Sequence, residues 1–165
     1  MHAEDVLFYG NRTVMATLDG VAEGEWEAPG AVGVWTVKNV AAHLASHEWK
    51  LVDALLRLLG EPENGTLARS LNDPLGFNDR EVAARAGFSP EETVEEYRRA
   101  HAQAAELIRR IPAERRREAG AIPWYGAEYD LEDYIAYGVY GHKREHTAQV
   151  AAFLERLRNG ELTKS

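Results

Sequence analysis

The stretch DLEDYIAYGVYGHKREHTAQVAAFLERLR, residues 130–158, decides how the rest of the chain is read. Leu131, Ile135, Gly138, His142, His146, Gln149, Phe153 and Leu157 recur in it at steps of three or four. That spacing lines side chains along one face of an α-helix and predicts a helix opening at Asp130 and ending at Asn159-Gly160. His142 and His146 stand one turn apart in the middle of this face, so both rings leave the rod in the same direction.

Three earlier segments carry the same period, and little of the chain alternates as a strand would. The first runs from about Glu4 to Val21, with Leu7, Val14, Leu18 and Val21 on one face. The stretch after it, with Gly24, Pro29, Gly30 and Gly33, reads as loop. Thr36 is the expected N-cap of a second helix, about Val37 to Leu59, whose stripe is Val40, Leu44, Leu51, Leu55 and Leu58, with Gly60 and Pro62 as its stop. Ser89-Pro90-Glu91-Glu92 is the clearest start signal: a Ser cap, a Pro in the first turn and a Glu three after the cap. The helix it opens carries Val94, Tyr97, Ala104, Ile108 and Ile111.

The expected fold class is therefore all-α, a four-helix bundle in one domain spanning 1–165. The link from Gly60 to Ser89 is long for a bundle, where two to eight residues are usual. FNDREVAARAG, residues 77–87, is expected to form a short helix within it. Such a crossover joins helices that are not simple up-down neighbours. The other long loop carries Trp124 and Tyr125.

On the second helix, His43 lies beside Leu44 at the edge of the stripe. Burying an imidazole without a partner costs roughly 1–3 kcal/mol, so several histidines on inward faces need something to compensate. Three imidazoles from two helices are a common way to hold a divalent metal, and three protein ligands leave positions open for water or substrate. His43, His142 and His146 are the candidate ligands. The competing account is a plain structural bundle, whose core histidines bond to Glu48, Glu145, Gln149 or a tyrosine. His47 pairs with His43 at i, i+4 and is open to three roles: fourth ligand, pocket wall or base. His101 is expected to line the core or pocket, Glu145 to point away, and His2 to be uninvolved. Gly138 and Gly141 suit a close approach of backbone or ligand. Trp35, Trp49, Trp124 and the tyrosines at 125, 129, 134, 137 and 140 are candidates to roof the site.

There is no cysteine, so disulfides, thiolate nucleophiles and Cys-based zinc sites are excluded, and any thiol chemistry needs an external thiol. A net charge of −8 opposes binding to nucleic acid. The exception is the basic run Arg115-Arg116-Arg117 near Arg109 and Arg110, which reads as a solvated helix end. No apolar run approaches membrane-spanning length, and no basic region followed by an apolar stretch opens the chain. Cytoplasmic location is the expectation, with no membrane partner.

WTVKNVAAHLASHEW (35–49), YGHKREHTAQVAAFL (140–154) and the order of the helices together resemble the DinB/YfiT-like family of four-helix-bundle metalloenzymes. The resemblance spans essentially the whole chain. It implies an up-down-down-up bundle with a divalent metal (nickel, zinc or iron) held by His43, His142 and His146. It also implies a homodimer in many relatives. Some members transfer a low-molecular-weight thiol to small electrophiles; others are isomerases or self-resistance proteins. Position 47, often aromatic in the family, is His here. The resulting expectation is a thiol S-transferase acting on a small-molecule substrate, with His47 or Glu48 orienting a ligand or accepting a proton. Metal-dependent hydrolysis and a non-catalytic metal- or ligand-binding stress protein are the alternatives.

Overall fold

Backbone hydrogen bonding in the computed structural model, which describes residues 2–162, gives a largely helical chain. It runs α1 (Ala3–Asp19), a 3-10 turn (Glu23–Glu25), β1 (Pro29–Val32), β2 (Trp35–Thr36), α2 (Val37–Leu59), α3 (Thr66–Asn72), α4 (Phe77–Ala84), α5 (Pro90–Arg110) and α6 (Ala113–Arg116). Then α7 (Leu131–Asp133), a π-helical segment (Tyr134–Tyr140) and α8 (Gly141–Arg158) follow one another without a break. Met1 and residues 163–165, the ends of the single domain expected over 1–165, lie outside the described residues.

The helix starts follow from their caps. Asn39 N–H donates to Thr36 Oγ1 (3.1 Å) and Thr36 N–H to Asn39 Oδ1 (2.9 Å), so α2 opens where expected. Gly60, at φ +70°, ends it in the left-handed conformation that glycine adopts without strain. Glu92 N–H donates to Ser89 Oγ (3.1 Å) and Ser89 N–H to Glu92 Oε2 (2.7 Å), closing the capping box at α5. Ser89→Ala is expected to lower stability by about 1 kcal/mol, read from chemical denaturation, with no effect on the histidine cluster described below.

Elsewhere the chain departs from the sequence expectation. The stretch read as loop contains a small antiparallel hairpin, with Pro29 opposite Thr36 and Val32 opposite Trp35. Gly33, at φ +58°, stands first in its two-residue turn, where a type II′ hairpin needs positive φ. α1 stops at Asp19 rather than Val21. The crossover holds α4 as expected and also α3. Asp53, wholly buried on α2, holds the start of α3 by accepting from Asn64 N–H (2.7 Å) and Leu67 N–H (3.0 Å).

The π-helical segment is the other departure, and it shifts the inward face of the last rod. Its i→i+5 bonds hold more residues per turn than an α-helix, so a 3.6-residue period cannot be carried through it. Downstream, the buried face is Lys143, His146, Thr147, Val150, Phe153, Leu154 and Leu157. Gln149 and His142 are only half-buried.

α2 packs chiefly along α5, and α1 packs against α8, α5 and the π segment; contact between α2 and α8 is slight. The core divides into two apolar clusters. One gathers Ala3 and Leu7 of α1, Leu51 and Leu55 of α2, Leu107 and Ile108 of α5, and Leu131 and Ile135. The other gathers Val14 and Leu18, Val40 and Leu44, Val94 and Tyr97, and Val150 and Phe153. Between them every long helix crosses a layer of a different kind: Gly10 on α1, His47 and Glu48 on α2, His101 on α5, and His142, Lys143 and His146 on α8. Among the described residues, no helix is long and apolar enough to cross a membrane.

Candidate metal centre

Four imidazoles meet in that layer. His43 Nε2 and His142 Nε2 are 2.8 Å apart, and His142 Nε2 and His146 Nε2 are 2.9 Å apart. His47 joins from the next turn of α2, its ring centroid 4.5 Å from that of His43 and 4.6 Å from that of His142. One nitrogen from each of His43, His47 and His142 falls within 4.8 Å of the others. The structure therefore brings together the three expected candidates and adds His47 to them. His101 lies apart, and His2 is exposed just before the first residue of α1.

The donor set suits a divalent cation. His146 Nδ1–H donates to Gln149 Oε1 (2.8 Å), which leaves the lone pair on Nε2, facing His142. A single proton on His142 Nε2 bridges well to only one of its two close neighbours, so the three nitrogens are not satisfied by one another. Nitrogens about 2.0–2.1 Å from one ion stand about 2.9 Å apart at a right angle and about 3.4 Å apart at the tetrahedral angle. The two separations at His142, 2.8 and 2.9 Å, are near the former. His47 Nε2–H donates to Asn78 Oδ1 (2.9 Å) and its ring meets Phe77 edge-on, so α4 of the crossover orients it. His43 lacks such support: its Nδ1 is buried with no hydrogen-bond partner, and Trp35 of the hairpin packs against its ring at 5.0 Å.

Burial, reinforced by the neighbouring imidazoles, lowers the pKa of His43 far below the ordinary histidine value and that of His142 to about 2. Burial also lowers His47, to about 4, against the opposing hydrogen bond to Asn78. Neutral imidazole is the ligating form, so these donors stay available well below pH 7.

Glu48 is 1% exposed and bonds to Lys143 and His101. Lys143 Nζ donates to both its oxygens, at 2.8 and 3.1 Å, and His101 Nδ1–H donates to Oε1 at 3.1 Å. Burial pushes the Glu48 carboxyl up, but Lys143 and His101 outweigh it and hold the group below the usual carboxylate range. The Lys143 ammonium also sits 5.5 Å from the centre of the Tyr97 ring. Sequence reasoning missed Lys143, which sits in the charged run His-Lys-Arg-Glu-His. Lys143 stands four after Val139 and three before His146 on the buried face, a register set by the π-helical segment and not by the unbroken period read from the sequence. Asn78 and Phe77 carried no signal either, since their link to His47 is made by the crossover.

Of the aromatic residues expected to roof the site, Trp35 does stand against it. Trp49 instead donates to Glu96 Oε1 (3.2 Å), and Trp124, Tyr125 and Tyr129 pack away from it around Tyr134, which itself lines the cleft beside the cluster. Tyr137 and Tyr140 lie along a separate groove against α1. Gly138 is closely approached, as a Cβ there would come within 3.0 Å of Tyr134, whereas Gly141 has room. Glu145 is exposed and points away, as expected. The arginine run is tied into the end of α5: Arg116 is buried, donating to the carbonyls of Ile108 and Ile111 and to Glu4, while Arg110 pairs with Glu61 and Arg115 with Glu118. A small cleft of about 20 Å³ beside the cluster is lined by His47, Glu48, Tyr134, Gly138, His142 and Lys143, among others.

Comparison with known proteins adds a family. Neither the curated proteins nor the solved structures give a match. The family model described as the DinB superfamily matches residues 10–150, which takes in α2, the crossover and α8 as far as Val150, with all four clustered histidines. A helical chain matched over most of its length, with a histidine cluster of a kind that could hold a divalent metal, thus belongs to the DinB superfamily.

Proposed function

We propose that this chain is a divalent-metal-dependent enzyme that transfers a low-molecular-weight thiol to a small electrophile. The observation that carries the reading is the run of short contacts from His43 Nε2 to His142 Nε2 to His146 Nε2, with His47 beside it, in a layer whose carboxylate, Glu48, is taken up by Lys143 and His101. His43, His142 and His146 would hold the metal (zinc, nickel or iron). The ion's chemistry when bound is to favour thiolate over thiol near neutral pH. Gln149 orients His146, and Trp35 shields the His43 ring from solvent. His47, half-buried and held by Asn78, is the group in the cluster placed to accept a proton; Glu48, next to His47 in the chain, is engaged by Lys143 and His101.

A second reading, hydrolysis by an activated water, draws support from the cleft beside His142, whose 20 Å³ is about the room one water needs. Turnover of one electrophilic substrate by zinc- or nickel-loaded protein, with and without added thiol, separates the two. Thiol-dependent turnover lost on chelation is the expected result. Thiol-independent turnover favours hydrolysis, and stoichiometric metal without turnover on a broad electrophile panel favours a binding protein.

The same reading includes an up-down-down-up bundle, a cytoplasmic setting where such thiols are held, and a homodimer. One apolar cluster gathers the starts of α1 and of the last rod with the ends of α2 and α5, which supports that order of helices. A groove of about 1040 Å³ between α1 and the α7–α8 rod supports the dimer. Tyr9, Tyr137 and Tyr140 line it, with Glu132 in the earlier part of the rod and Arg12 and Arg144 further along. Two copies related by a two-fold axis would set opposite charges together. Sedimentation of the purified chain as a monomer would remove that part of the reading.

A further inference from the structure

α2 and α8 carry the clustered histidines, yet each lies mainly along another helix, α2 on α5 and α8 on α1. Side chains must therefore hold the two rods in register. Beyond the apolar cluster they share, their polar side chains meet at the imidazole cluster and at the ion pair of Glu48 with Lys143 at 2.8 Å, with side chains 1% and 3% exposed. Glu48 follows His47 and Lys143 follows His142, so on each helix the second attachment lies about 100° round the axis from the first. Two rods joined along one line can roll about it. A second link on the flank of both removes that freedom.

We propose that the buried Glu48–Lys143 pair is a positioning device for the histidine centre, setting the rotation of α2 against α8 and with it the affinity and coordination geometry for a divalent cation. The inference rests on the metal reading above and deepens it. Its neighbours fit the role. His101 and the two donations from Lys143 occupy the Glu48 carboxylate, and the Tyr97 ring lies beside the ammonium, so the pair is held in one arrangement. Stability alone is a poor reason for such a pair, because well-packed apolar residues of similar volume commonly serve a core as well or better. A fixed geometry between the rods is what an apolar replacement would not supply.

The test replaces the pair by apolar groups in the full chain. Glu48→Leu combined with Lys143→Met is expected to leave the thermal midpoint of metal-free protein near that of the parent. It is also expected to weaken zinc binding tenfold or more, in the range found when groups supporting metal ligands are removed. Zinc affinity is read by competition with a chromophoric chelator, and coordination geometry from the visible spectrum of the cobalt-substituted protein. Glu48→Gln, which keeps the side-chain volume, decides the matter if the double variant does not fold, and is expected to weaken zinc binding less but measurably. A purely structural role would lower the midpoint and leave both metal readouts unchanged. A folded variant with parental zinc affinity and an unchanged cobalt spectrum overturns this inference alone. Parent protein that takes up no zinc, nickel or cobalt overturns the metal reading, and this inference with it.

Discussion

His142→Ala is expected to weaken divalent-metal binding by about 100-fold or more, enough that protein purified without a histidine tag loses its metal on dialysis. Changing a group that merely supports a ligand costs about 10- to 100-fold, so removing a ligand outright should exceed that range. The effect is argued for His142 first because its Nε2 is the shared neighbour, 2.8 Å from His43 and 2.9 Å from His146. Without it, the remaining pair comes from different helices with slight direct contact. His146→Ala should behave alike, and His2→Ala, exposed before α1, should retain metal as the parent does. Elemental analysis gives the stoichiometry. Thermal denaturation gives an independent readout, because a ligand bound only by the folded state raises the midpoint with concentration. Added zinc should raise it in the parent and in His2→Ala, and leave His142→Ala unmoved. Equal metal content in all three variants would defeat the assignment. His47→Ala asks a separate question: loss on the scale of His142→Ala would make His47 a ligand, and retention would leave it free for proton transfer.

The histidine cluster was legible in the sequence because both of its halves obey local rules. His142 and His146 are one turn apart on a rod whose periodicity is clear, and His43 lies just inside a helix whose start is fixed by Thr36 and Asn39. α5 was legible for the same reason, from its Ser89–Glu92 capping box. What could not be read depends on contacts between distant segments. The role of Asn78 in holding His47 exists only because α4 folds back over α2. α3 forms where Asp53, eleven to fourteen residues earlier, accepts the N–H groups of Asn64 and Leu67, and neither local propensity nor period reports that. The π segment misled the periodicity argument itself. It moved the buried face so that Lys143 turns inward and Gln149 partly outward. Glu48 was singled out for its chemistry from its place beside His47. The structure shows that chemistry engaged by Lys143 and His101.

Glu48→Ala should be the most destabilising single change in the polar layer, by about 3–5 kcal/mol, because it leaves the Lys143 ammonium buried without its counter-charge. The remaining surroundings cannot replace it. The Tyr97 ring offers a weak attraction at 5.5 Å, and burial keeps bulk water from the ammonium, whose side chain is 3% exposed. Against the 5–15 kcal/mol typical of a whole domain, about 3–5 kcal/mol is a large fraction, so a visible unfolded population is expected at 37 °C. Urea denaturation at pH 7 on metal-free protein measures the difference without the contribution of bound ion. Comparison with the paired apolar replacement gives the result its meaning. Truncating one partner reports the penalty of a stranded charge, whereas replacing both removes charge and penalty together and leaves only the lost geometry. A strongly destabilised Glu48→Ala beside a stable but weakly metal-binding double variant is therefore the signature of a pair kept for position. If Glu48→Ala costs less than about 1 kcal/mol, the ammonium has found water or another partner, and the layer is more open than its burial indicates.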